Sequence, residues 1–164
     1  MSVTKFEVER FSIVSSKAFE AVVAAIEAAV GQPDMREFLS ATAAAATLAE
    51  LETVVQRALG KTELMMFMKL DLGAVVRKET GLDRAQIVRL LVGNPLVMKE
   101  MARHAPDAGS YAPVTILVDE RSDGVHLSYD RMASLSAAYA NPNALAIARD
   151  LDAKIEDLLK AAAH

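Results

Sequence analysis

Two alternating segments late in the chain place the strongest constraint on its fold. From Val114 to Glu120 and from Val125 to Asp130, apolar and polar residues alternate, which is the pattern of half-buried strands. The four residues between them, Arg121-Ser122-Asp123-Gly124, predict a type I turn that ends on a left-handed glycine. The sequence therefore predicts an antiparallel hairpin that pairs Glu120 with Val125.

This register sorts the hairpin side chains between two faces, because successive strand residues point to opposite sides of a sheet. One face is apolar and predicts a part of the core: Val114, Ile116, Val118, Val125, Leu127 and Tyr129. The other face is mostly polar: Thr115, Leu117, Asp119, His126, Ser128 and Asp130. This polar face most resembles a site, and in it His126 stands opposite Asp119 as a cross-strand pair.

Periodicity predicts the remaining elements. Strands are predicted from Lys5 to Ser15 with a bulge near Glu9, from Leu64 to Leu70 as a central strand, and from Ala85 to Val92. Helices are predicted from Lys17 to Val30, in two pieces between Met35 and Gly60, from Asp71 to Gly81, from Pro95 to His104, and from Pro142 to Ala162. This order predicts an α+β fold: a single compact domain over residues 1–164 with a mixed or antiparallel sheet, a late β-hairpin, helices packed on one face and a long C-terminal helix.

Polar residues and glycines mark the helix ends. Ser16 is placed to cap the first helix, and Gly31 to end it in the left-handed conformation. Thr47 and Glu50 have the spacing of a capping box. The pair Asn94-Pro95 has a favoured cap followed by a proline in the first turn, which predicts a helix start.

Composition excludes several classes of function. The chain has no cysteine, so disulfides, thiolate metal sites and cysteine nucleophiles are excluded. A net charge of −4 with both signs interspersed offers no basic face, so we expect no nucleic-acid partner. No stretch approaches the roughly 20 apolar residues of a spanning helix, and no leader is recognisable, so we expect a soluble cytoplasmic protein with no membrane partner.

The apolar content predicts self-association. Apolar residues make up 52% of the 164 residues, although only five Phe and three Tyr are present. Such a surplus in a small domain suggests that a second copy covers apolar surface. We therefore expect a homodimer.

The polar hairpin face contains the residue types of a catalytic triad but not its geometry. His126, Ser128 and Asp130 follow one another at about 6.6 Å along one strand with parallel side chains, so they cannot form a relay by themselves. A solvated cross-strand face is the favoured interpretation, and a ligand pocket or a dimer contact is the alternative.

Two loop positions complete the candidate site. The helix start at Asn94 exposes backbone donors that suit a carboxylate or phosphate, although a capped helix has the same sequence. Tyr111 lies in a loop between Gly109 and Pro113, where its hydroxyl could border a cleft or anchor the loop on the core. The candidate ligand-binding residues are Asn94, Tyr111, His126, Ser128 and Asp130, and none is assigned a catalytic role.

Methionine clusters suggest a soft-metal or haem site. Met98, Met101 and His104 share one helical face, and a second cluster is formed along a strand by Met65, Met66 and Met68. Core packing explains the methionines more simply, and attraction to the helix C-terminus explains His104. We predict no metal and no cofactor.

The closing helix carries many charges. Asp150 and Asp152 lie among basic residues such as Lys154, which predicts a solvated face with ion pairs four residues apart. These acidic residues are not expected to form an acid–base site.

Several segments of the second half resemble one known family. They are Gly93-Asn94-Pro95, the stretch from Asp107 to Pro113, and the hairpin with its Asp123-Gly124 turn. They resemble the bacterial and archaeal domain-of-unknown-function family 302, and the resemblance covers most of the chain. It implies a compact domain with an antiparallel sheet, a C-terminal element packed across it, and homodimers. It implies no catalytic residues.

Three hypotheses for the function follow. The first is a non-catalytic homodimeric module that binds a small, partly apolar ligand or another protein. The second is an enzyme of unknown reaction that uses His126 and Asp130 with Tyr111. The third is a soft-metal or haem binder.

Overall fold

Five strands form one antiparallel sheet in the part of the chain that the structure describes. A computed structural model gives the fold and describes residues 1, 3–81 and 86–164. The strands are β1 (Arg10–Ser15), β2 (Met65–Asp71), β3 (Ile87–Gly93), β4 (Val114–Arg121) and β5 (Gly124–Asp130). Their spatial order is β1-β5-β4-β3-β2, so the predicted hairpin β4–β5 lies inside the sheet.

Helices pack against this sheet, mainly on one face. They are α1 (Phe19–Ala29), α2 (Met35–Ala44), α3 (Leu48–Ala58), α4 (Gly73–Thr80), α5 (Pro95–His104), α6 (Met132–Ala137) and α7 (Pro142–Ala163), with a 3-10 turn at Pro106–Ser110. The main core lies between the sheet and α1, α5 and α7. α2 and α3 enclose a smaller apolar cluster around Phe38, Val55 and Met65. Within the described residues, no helix is both long enough and apolar enough to cross a bilayer. The predicted α+β single domain with its long closing helix is confirmed.

The hairpin has the predicted register. Glu120 pairs with Val125, and the apolar face of both strands is buried as expected. The turn differs in detail, because Gly124 has a φ of 136°, beyond the left-handed helical region that was predicted. A Cβ on Gly124 would lie 2.7 Å from the backbone oxygen of Ser15 on β1. Glycine is therefore required here by the neighbouring strand as well as by the turn.

The prediction of a central strand at Leu64–Leu70 is wrong, because β2 lies at an edge of the sheet. It is apolar on both sides because its side chains pack in two clusters: Met66 in the main core and Met65 in the α2–α3 cluster. Met65 and Met66 point to opposite sides because they are successive strand residues, and a register shift follows between Met66 and Met68. The predicted strand start at Ala85 lies outside the described residues.

The first strand and the first helix begin later than predicted. β1 starts at Arg10, and Ser16 does not cap α1, whose N-cap is Ala18 without a side-chain hydrogen bond. Gly31 does not adopt a left-handed conformation either. A Cβ on it would lie 1.8 Å from the Ala58 backbone oxygen, so its small size permits a close contact between two segments.

The other predicted caps are present. The Thr47 hydroxyl accepts a hydrogen bond from the Glu50 amide at 3.2 Å, while the Glu50 carboxylate accepts from the Ala46 amide at 2.7 Å. The Asn94 side chain accepts from the Leu96 amide at 2.9 Å. These side chains satisfy donors that a helix start leaves without intrahelical partners.

The face of the sheet opposite the core, here called the open face, carries side chains of mixed polarity. Its members, apart from the buried Asp119, are exposed or half-buried: Arg10, Ser12, Val14, Met68, Leu70, Ile87, Arg89, Leu91, Thr115, Leu117, His126, Ser128 and Asp130. Val14 and Met68 are 45% and 49% exposed. Candidate site residues from β5 therefore point to the uncovered side of the sheet.

Candidate polar pocket at the end of the open face

A pocket of about 210 Å³ lies where β4 begins and β5 ends. Its polar lining comes from β3, the loop before β4, β4 itself and β5, through Arg89, Ser110, Tyr111, Thr115 and Asp130. Apolar walls are provided by Pro113, Val114, Met132 and Leu135. We call this the polar pocket. It brings together Tyr111 and Asp130, two of the five candidate residues.

Arg89 is the central cation of the polar pocket. It is exposed on β3, and its Nη2 donates a hydrogen bond to the Thr115 hydroxyl on the neighbouring strand at 3.0 Å. Among residues 1, 3–81 and 86–164, no carboxylate forms an ion pair with this guanidinium. Sequence reasoning missed Arg89. The sequence feature that could have identified it is an arginine inside an otherwise apolar strand. A charged side chain at such a position is expected to point away from the core and to bind another group there.

Asp130, in contrast, is already paired. Arg10 Nε donates to Asp130 Oδ1 at 2.6 Å and Nη2 to Oδ2 at 2.8 Å, a bidentate arrangement between adjacent strands. The hydrogen bond to Asp130 raises the pKa of Arg10. Both side chains are more than a third exposed, so this pair stabilises the fold by at most about 1 kcal/mol. Each oxygen of Asp130 thus already accepts one charge-assisted hydrogen bond.

Tyr111 belongs to an aromatic cluster at the rim of the polar pocket. Its hydroxyl lies 3.0 Å from that of Tyr139, and Phe6 packs against both rings at centroid distances of 6.1 and 5.8 Å. The hydrogen bond with Tyr111 raises the pKa of Tyr139 to about 12. The Tyr139 hydroxyl is therefore protonated at neutral pH. The loop tyrosine is anchored by the cluster while its side chain lines the pocket.

His126 and Ser128 do not reach the polar pocket. His126 stands opposite Asp119 as the register predicts, but its Nε2 lies 2.8 Å from Asp123 in the turn. Asp119 instead accepts two hydrogen bonds from Arg121. The predicted cross-strand position of His126 opposite Asp119 is confirmed, but each side chain has its hydrogen-bond partner at the turn. His126 is also four residues from Asp130, about 13 Å along the strand, so the structure does not assemble the proposed catalytic group.

Asn94 lies beside a different cavity. Besides capping α5, its amide donates to the Glu63 backbone oxygen at 2.9 Å. It borders an apolar cavity of about 110 Å³ lined mainly by Phe67, Val97, Met98, Met101 and Leu151. Pro113 and Val114 form walls of both this cavity and the polar pocket. Because both the oxygen and the nitrogen of the Asn94 side chain form hydrogen bonds within the protein, this residue has a structural role at the helix start.

The methionines are divided between several environments. Met101 is fully buried and Met98 lines the apolar cavity, while Met65 and Met66 pack in separate clusters. His104 accepts a hydrogen bond through its backbone oxygen from Asn141 at 2.9 Å. In the described ranges, no three His, Cys, Asp or Glu side chains gather as a group that could hold a metal ion.

The prediction that Asp152 lies on a solvated face is wrong. It is only 6% exposed and accepts hydrogen bonds from the Tyr129 hydroxyl at 2.5 Å, the Met132 amide at 2.7 Å and the Ala133 amide at 3.0 Å. Burial raises the pKa of Asp152 despite these donors, and burial beside this carboxylate raises the pKa of Tyr129. The missed signal is spacing, because position 152 falls on the apolar stripe of Ala148, Ile155 and Leu159.

Comparison with known proteins places the chain in a family. A search of curated proteins finds none that matches. The crystal structure of an uncharacterized conserved DUF302 protein from Bacillus stearothermophilus is similar, with a TM-score of 0.64 and 14% identity over 93% of this chain and 97% of that one. At this identity the likeness shows a common fold. The family model for domain of unknown function DUF302 matches residues 39–162, most of the chain, so this protein belongs to the DUF302 family.

Proposed function

We propose that this protein is a non-catalytic homodimeric domain that binds a small, partly apolar molecule in the polar pocket. The observation that carries the proposal is the convergence of Arg89, Tyr111 and Thr115, from three separate segments, on a pocket with apolar walls. Apolar walls with a few convergent polar groups are typical of small-molecule sites.

A binding role suits the polar pocket better than a catalytic one. A general base needs a free acceptor within reach of the substrate. Asp130 directs both oxygens to Arg10, and His126 lies about 13 Å away along β5. The groups of the polar pocket can hold and orient a ligand, but they supply no nucleophile activated by a base.

The open face supports the homodimer. Five strands about 4.8 Å apart and about seven residues long present a surface on the order of 500 Å². Half-buried Leu91 and Leu117 and exposed Met68 make part of it apolar, and α4, directly after β2, exposes Val75 and Val76. A stable interface buries about 800 Å² per partner, and the part of this face outside the polar pocket, together with α4, would supply a large share of that area to a second copy.

Native mass spectrometry of freshly purified protein, repeated after denaturation, tests the proposal. We expect a dimer with extra mass that is lost on unfolding, because the method reports subunit number and retained ligand together. The matched variant Leu135→Trp fills the polar pocket and should give a dimer without the extra mass. A bare monomer in fresh preparations would contradict the proposal.

A further inference from the structure

Given the small-molecule role proposed above, we infer that the ligand carries an oxyanion, a carboxylate or a phosphate, bound by Arg89 and Tyr111 in the polar pocket. Around the pocket, donors outnumber the acceptors that they meet.

The guanidinium of Arg89 has spare donors. It has five N–H groups, and in the described part of the chain one bond is made, to Thr115. No carboxylate in the part of the chain that the structure describes pairs with this positive charge. A planar guanidinium matches the two oxygens of a carboxylate or phosphate.

The tyrosine pair supplies one more donor. Tyr111 and Tyr139 have two hydroxyl protons, and the contact between them at 3.0 Å uses one. The second proton has no acceptor among the residues that the structure describes. When Tyr139 donates to Tyr111, the proton of Tyr111 is free to point into the polar pocket that its side chain lines.

The acceptors, by contrast, each already have a donor. Both oxygens of Asp130 receive hydrogen bonds from Arg10, and the Thr115 oxygen receives one from Arg89. Arg10 also cancels the charge of Asp130, which leaves the charge of Arg89 uncompensated. A cation would be repelled and a neutral ligand would leave the guanidinium unmatched, whereas an oxyanion satisfies both the spare donors and the charge.

Titration of benzoate, benzamide and inorganic phosphate into the 164-residue protein tests the inference, with amide chemical shifts as the measured signal. Benzoate has a carboxylate on an apolar body that suits the walls at Pro113 and Leu135, benzamide is its neutral counterpart, and phosphate is an oxyanion without that body. We expect benzoate, phosphate or both to shift amides around the polar pocket, with benzamide binding at least about tenfold more weakly than benzoate. Binding by phosphate alone would identify a phosphate ligand, and binding by benzoate alone a carboxylate.

Variants assign the residues. Arg89→Gln should weaken oxyanion binding at least about tenfold, Arg89→Lys should retain part of it, and Tyr111→Phe should weaken it about three- to tenfold. The control is Arg36→Gln, which removes an exposed arginine from α2 and should change nothing. Because Arg89 is exposed, a native amide spectrum is expected for each variant.

Two results would overturn the inference. One is equal binding of benzamide and benzoate that is unchanged in Arg89→Gln. It would show that the pocket binds ligands without the charge of Arg89, and the proposed function would be unaffected. No shift with any of the three probes would reject an oxyanion site. The proposed function would then be judged separately by the retained mass in native spectra.

Discussion

Asp152 of α7 accepts a hydrogen bond from the hydroxyl of Tyr129 on β5 at 2.5 Å. The same carboxylate accepts from the amides of Met132 and Ala133, the first residues of α6. One buried side chain of the closing helix thus caps a second helix and joins both to the sheet. Met132 also lines the polar pocket, so this junction holds part of the pocket wall in place.

Replacing Asp152 by Ala should lower the free energy of unfolding by about 2–4 kcal/mol, because two buried amides and a buried hydroxyl lose their acceptor. Urea denaturation measures the change. Asp150→Ala removes an exposed carboxylate from the same helix and should cost less than about 0.5 kcal/mol. Equal losses in the two variants would contradict the structural role of Asp152.

The raised pKa of Asp152 predicts a pH dependence of stability. When the folded-state pKa lies above the unfolded one, the folded state holds the proton more tightly, so stability decreases as pH rises from the ordinary aspartate range through the folded-state pKa. Asp152→Asn cannot titrate, and its loss of one amide hydrogen bond shifts its stability equally at all pH values. The stability of the wild type relative to this variant should therefore fall over that range, as measured by urea denaturation at a series of pH values. A rise instead would mean that the three donors outweigh burial.

Gly124→Ala should destabilise the protein by about 2 kcal/mol or more, because its φ of 136° disfavours a side chain and a Cβ would lie 2.7 Å from the Ser15 oxygen. Thermal unfolding measures the loss. Gly109→Ala is the matched control, since a Cβ there meets no atom within 4 Å and should change stability by less than about 0.5 kcal/mol. If both variants melt alike, the turn tolerates a side chain.

Met68→Lys should raise the dissociation constant of the proposed dimer at least about tenfold, because it places an unpaired charge on the open face at the interface. Sedimentation at several protein concentrations measures the monomer–dimer equilibrium. Leu39→Lys makes the same change at a 60%-exposed position on α2 and should leave the equilibrium unchanged. If the dimer is unaffected in Met68→Lys, the interface lies on another surface.

Local patterns determined much of the fold. The alternation on both sides of the Asp123-Gly124 turn predicted β4, β5 and their register, because a one-residue slip would expose every apolar side chain. The caps at Thr47 and Asn94 were predictable for a similar reason, since a cap satisfies donors within three residues of itself. The long closing helix was predictable from its apolar stripe.

The tertiary structure decided where these elements lie and which side chains meet. The sequence of β2 has the pattern of a central strand because a second cluster from α2 and α3 covers its other side. The strand nevertheless lies at an edge of the sheet. The sequence predicts a surface charge at Asp152, yet its carboxylate is buried and accepts hydrogen bonds from Tyr129 and from the start of α6. The polar pocket joins Arg89 to Tyr111 across 22 positions of sequence, and the aromatic cluster joins Tyr111 to Tyr139 across 28. Periodicity reports which side of an element is buried, whereas a site depends on distances between elements, which strand order and helix packing set.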